Sequence, residues 1–89
     1  MGLGPVGRGM EEKLKAAFAP ALLEVIDESH RHHGHAGANA DGESHFRVKI
    51  RAAAFAGKSR LERHRMVNAV LAADLQARVH ALAIEAEAD

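Results

Sequence analysis

The chain has 89 residues, 47% of them hydrophobic, and a formal net charge of zero with histidines neutral. That suffices for one domain with a modest core, and it excludes a global field drawing the protein toward nucleic acid or a membrane. There is no cysteine, so disulfides, zinc thiolate sites and cysteine nucleophiles are excluded, and any metal must be held by His, Asp or Glu.

No stretch approaches the ~20 apolar residues of a membrane helix. Met1 to Gly9 contains glycines and a proline but no apolar run, so it is not expected to act as a signal peptide. It is set aside as a flexible N-terminal extension, residues 1–9, ahead of a domain over 10–89. A cytoplasmic location is expected.

Glu11 to Phe18 reads as a short helix, with Leu14, Ala17 and Phe18 on one face and Pro20 ending it. Leu22 to Glu28, around Leu23, Val25 and Ile26, reads as a strand. Ser29 to Ser44 has Gly34, Gly37, Gly42, Asn39 and Asp41 and no apolar periodicity. It is a loop, and one long enough for a functional role. His45 to Arg51 alternates strictly: Phe46, Val48 and Ile50 point one way, His45, Arg47, Lys49 and Arg51 the other. One face should be buried and one wet. Ala52 to Lys58 connects, with a turn at Gly57.

Ser59 and Glu62 have capping-box spacing and open a helix running to about Gln76. Leu61, His64, Val67, Val70, Leu71 and Leu75 should form its inward stripe. Val79 to about Glu87 is the third strand, with Leu82 and Ile84 on one side and His80 sharing their face.

A strand–helix–strand passage favours a right-handed parallel pair, and two strands joined by a loop favour an antiparallel one. With the second strand central, the end of the first strand, the long loop and His80 share one rim. Outer strands stand roughly 10 Å apart there, so His80 and a histidine from His32, His33 or His35 form the candidate site. His45, at the same rim on the wet face, is a spare ligand of low weight. His64, at ~1.5 Å rise per residue, lies about 18 Å from the helix end leading to His80, and is a structural histidine.

Glu24-Val25-Ile26-Asp27-Glu28-Ser29, Ser44-His45-Phe46-Arg47-Val48, Phe55-Ala56-Gly57-Lys58-Ser59, Arg63-His64-Arg65-Met66-Val67 and Val79-His80-Ala81-Leu82-Ala83 together resemble the BolA family. The resemblance implies an α+β fold akin to type II KH domains. Its three-stranded mixed sheet has strands 1–2 antiparallel and 2–3 parallel, with helices on one face. It also implies a non-enzymatic partner of a monothiol glutaredoxin. The two share a [2Fe–2S] cluster, the glutaredoxin side contributing its cysteine and a bound glutathione. By position His80 matches the C-terminal ligand and His32 the loop ligand, with His33 and His35 as alternates. No cofactor is expected in the isolated protein, which should be a monomer or weak dimer. Histidine replaces cysteine on one iron of some clusters. An imidazole must be neutral to ligate, so cluster sharing should weaken below about pH 6.5.

The alternative partner is DNA, since the family also carries a transcriptional-regulator label. Lys58, Arg60, Arg63 and Arg65 crowd a helix start, where cations oppose the helix dipole and suit an anionic partner. The KH backbone clamp uses Gly-x-x-Gly. Here Gly57-Lys58-Ser59-Arg60 lacks the second glycine, and Phe18, Phe46 and Phe55 are the only aromatic rings besides histidine. A third reading is loose capture of divalent metals by the histidine-rich loop. No phosphate loop, paired-carboxylate site or nucleophile–base motif speaks for catalysis.

Overall fold

The computed structural model describes residues 3–29 and 43–89. Helix α1 (Pro5–Phe18) leads to strand β1 (Leu22–Asp27), and strand β2 (His45–Ala52) follows the long loop. A 3₁₀ turn (Ala53–Phe55), helices α2 (Arg60–Val70) and α3 (Ala72–Ala77), and strand β3 (Ala81–Ala88) complete the domain. The sheet order is β1-β2-β3. β1 runs antiparallel to β2, with Val25 opposite Val48, and β3 runs parallel to it, with His45 opposite Ala81. This is the mixed α+β sheet that the chain order implies.

The alternation of β2 decides which face is covered. Phe46, Val48, Ile50 and Ala52 are buried, together with Met10 and Leu14 of α1, Val67 of α2 and Leu71. Phe55 closes this core against Phe18, with ring centres 5.0 Å apart. The opposite face carries Arg47 across all three strands. Its Nε donates to Glu28 Oε2 and its Nη1 to Glu85 Oε2, both at 3.0 Å. These hydrogen bonds, that to Glu28 first, hold the Arg47 guanidinium above its ordinary pKa.

Four expectations are corrected. Residues 5–9 do not belong to a flexible extension. α1 begins at Pro5, a residue preadapted to the first helical position, and Gly7 and Met10 are buried. Leu61 is 58% exposed rather than inward. At 3.6 residues per turn it points about 120° away from Val67, and Met66 packs on the core instead. The single long helix is two, divided at Leu71 (φ −101°, ψ 13°), and the third strand starts at Ala81.

The capping box is present. Glu62 N–H donates to Ser59 Oγ at 3.1 Å and Ser59 N–H to Glu62 Oε1 at 2.9 Å. The Ser59 backbone N–H, then its hydroxyl, hold the Glu62 carboxyl below its ordinary value. A lowered folded pKa means stability that is present above the unfolded carboxylate value and is lost as pH falls through the folded one. Ser59→Ala should cost about 1 kcal/mol through the lost cap, whereas Glu62→Gln should destabilise at neutral pH and cease to do so in acid, below the ordinary glutamate value of ~4.3. Urea denaturation at both pH values checks this.

Candidate functional site

The two ends of the long loop are drawn together by short side chains. Asp27 Oδ1 accepts from the Ser29 N–H at 2.9 Å and the Ser29 hydroxyl at 2.5 Å, and Oδ2 accepts from the Glu43 N–H at 3.1 Å. Ser29 Oγ in turn accepts from the N–H groups of Ser44 (2.8 Å) and His45 (3.2 Å). Asp and Ser serve here because a short polar side chain reaches backbone groups nearby. Ser29, Glu43 and Ser44 are buried, so each polar group needs such a partner.

Glu43 carries the clasp to α1. Its Oε1 accepts from Val6 N–H at 2.8 Å and Gly7 N–H at 3.1 Å. The N-cap residue Gly4 supplies no side-chain bond of its own, so a carboxylate from elsewhere satisfies these helix donors, where negative charge is favoured.

On the other side of the clasp stand two histidines. The Ser44 carbonyl accepts from His80 N–H at 2.7 Å and Ala81 N–H at 3.2 Å. Ser44 Oγ lies 2.9 Å from His45 Nδ1. The rings of His45 and His80 stand with centres 6.3 Å apart, inclined by 32°. His80 is exposed and precedes β3, and His45 is half-buried. His80 is thus neither a core histidine nor a member of the Leu82–Ile84 face. His64 sits half-buried on α2. His32, His33 and His35 lie outside the described residues, between Ser29 and Glu43 of this same rim. Among the described residues no group of three or more His, Cys, Asp or Glu is placed to hold a metal ion.

The basic residues divide. Lys58, Arg60 and Arg65 are exposed. Arg63 is half-buried, and its Nη1 donates to the Lys58 carbonyl at 2.9 Å. It braces the turn at Gly57 (φ 73°). The outward basic surface at the start of α2 is therefore Lys58, Arg60 and Arg65.

A family model described as BolA-like protein matches residues 14–89. The chain belongs to the BolA family. It is 52% identical over 83 residues to a putative BolA-like protein of Caenorhabditis elegans, covering 93% of this chain and 73% of that one. It is 51% identical over 75 residues to the DNA-binding transcriptional regulator BolA of Escherichia coli K12, covering 84% and 68%. Among solved structures it resembles the BolA domain of SufE1 from Arabidopsis thaliana, with TM-score 0.89, 41% identity, and 98% and 95% coverage. The three strands and flanking helices place the His45–His80 rim at one end of the sheet. No helix among the described residues is long and apolar enough to cross a membrane.

Sequence reasoning passed over Ser44, Asp27 and Glu43, and gave His45 little weight. The Asp27-Glu28-Ser29 run was the available signal, since Asp and Ser two apart at a strand end form local turns.

Proposed function

We propose that this BolA-family protein is a non-enzymatic partner of a monothiol glutaredoxin that shares a [2Fe–2S] cluster through imidazole ligands, in cluster trafficking or iron regulation. One observation carries the reading: an exposed His80, tied by its own N–H to Ser44, beside a second imidazole at 6.3 Å. The donor set fits, since imidazole can replace thiolate on one iron and a chain without cysteine needs the partner's thiolate for the other. His80 would be one ligand. His32 matches the family's loop ligand, with His33 and His35 as alternates. The cluster would supply electron-transfer or cluster-donor chemistry, and this chain would supply position and neutral donors.

The test mixes the protein with a glutathione-loaded monothiol glutaredoxin carrying the cluster and records visible absorption and circular dichroism. A changed cluster spectrum is expected, and His80→Ala should abolish the change. An unchanged spectrum with the native protein would overturn the reading. The second reading, DNA binding, draws on the name of the E. coli relative and on exposed Lys58, Arg60 and Arg65. That unchanged spectrum, together with a salt-dependent gel shift lost on replacing these three, would put it first.

A further inference from the structure

We propose that the outer edge of β3 is a homodimerisation surface, at which two copies of this chain pair their third strands antiparallel about Ile84 and join their sheets into one. The inference stands apart from the cluster-sharing reading.

The backbone is the first reason. Among the described residues β3 has β2 as its one neighbour in the sheet. The N–H groups of Ala81 and Asp89 point inward, to the carbonyls of Ser44 and Ala52. Backbone direction alternates along a strand, so Leu82, Ile84 and Ala86 turn their N–H and C=O groups outward. Among the described residues nothing from another element hydrogen-bonds to them. Natural edge strands are blunted by proline, lysine, a bulge or short length. β3 runs for eight residues, Ala-Leu-Ala-Ile-Glu-Ala-Glu-Ala, in unbroken register and with none of these devices.

The core is the second reason. Leu82 and Ile84 lie opposite Phe46 and Val48. Phe46 and Val48 are buried, whereas Leu82 and Ile84 are only half-buried. The apolar layer reaches the edge strand without being closed there, and a strand added to β3 would extend its cover.

Charge selects the occupant and the register. With Ile84 on a two-fold axis, Ile84 faces its own copy and Leu82 faces Ala86, a large residue against a small one. On the wet face Glu85 faces Ala83 and Glu87 faces Ala81, so no glutamate stands directly against another. Moving the axis one residue to Glu85 would set that carboxylate against itself, which is unfavourable. The edge is thus self-complementary, as a two-fold interface requires. β1, the other edge, has only six residues, and its Val25 is already buried. In the proposed pair His80 faces Ala88, so the two His80 rims lie roughly 27 Å apart at ~3.4 Å per residue, and the joint leaves both clear.

The test uses the isolated full chain. Sedimentation equilibrium up to about 1 mM should show a reversible monomer–dimer equilibrium. A mixture of ¹³C-labelled and unlabelled protein should show an intermolecular Hα–Hα contact between Glu85 and Ala83, a close pair that this register creates. Ala81 is exposed, so its substitution need not disturb the fold. Ala81→Lys sets an opposite charge against Glu87 twice per dimer and should tighten it by about threefold or more, while Ala81→Glu should loosen it by a similar factor. A protein that stays monomeric would overturn the proposal. So would a dimer whose intermolecular contacts fall on β1, or one that both substitutions move in the same direction. Amides of Leu82, Ile84 and Ala86 that gain protection from hydrogen exchange only when a glutaredoxin is added would assign the edge to another protein and overturn it too.

Discussion

Phe46→Ala is expected to cost about 3–5 kcal/mol, the range for emptying a buried aromatic site. Phe46 is 2% exposed and stands in the middle strand, opposite Asp27 on β1 and Leu82 on β3. It also carries α1. A methyl group added at Gly7 would sit 3.1 Å from Phe46 Cε1, so the ring fills the space directly beneath the helix start. Leu3 meets the same point, its Cδ2 2.9 Å from that methyl position, so the ring and Leu3 together support the start of the helix. For a small domain with total stability of about 5–15 kcal/mol, such a loss is a large fraction. In urea it should appear as a lower midpoint with little change in slope. A loss under about 1 kcal/mol would mean that the start of α1 does not pack on β2.

The site should feel this change, because Phe46 follows His45. Its ring anchors the buried side of the strand whose wet side presents the imidazole. Phe46→Leu keeps most of the apolar volume and should preserve the His45–His80 arrangement at smaller cost. Comparing the two variants separates a disturbed rim from simple loss of stability.

What the sequence made legible is what local pattern encodes. The alternation of Phe46, Val48 and Ile50 against His45, Arg47 and Lys49 placed the middle strand and its buried face. Ser59 and Glu62 placed the start of α2. The order of elements put His80 and the loop at one rim, because connection rules for strand pairs leave few alternatives. What stayed hidden depends on partners distant in the chain. Pro5 could have marked a helix start, but the group that caps it is Glu43, 36 residues from Gly7, and no local window contains both. The pairing of His45 with His80 runs through the carbonyl of Ser44, an atom that every residue has and no motif can reveal. Leu61 misled because its hydrophobicity fits an inward stripe, whereas the core direction is fixed by Val67 and Leu71.

Glu43→Ala is expected to cost about 2–3 kcal/mol, since the helix donors of Val6 and Gly7 lose their acceptor and the start of α1 loses a compensating charge. Glu43 adopts a left-handed backbone (φ 60°), so Glu43→Gly should cost about 1 kcal/mol less than alanine while losing the same bonds. Glu43→Gln, whose amide oxygen can still accept, should cost least. Gly4 supplies an independent test of the same contact. A methyl group there would lie 2.5 Å from Glu43 Oε1, and the atom it displaces is the acceptor itself. Gly4→Ala should therefore approach Glu43→Ala in cost, and the double variant should fall well short of the sum, because both remove one interaction. Additive losses in that cycle would mean that Gly4 and Glu43 act separately. Coupling would establish that residues ahead of the family-matched segment are fastened to the loop end, one residue from Ser44, so that α1 and the histidine rim are held by the same clasp.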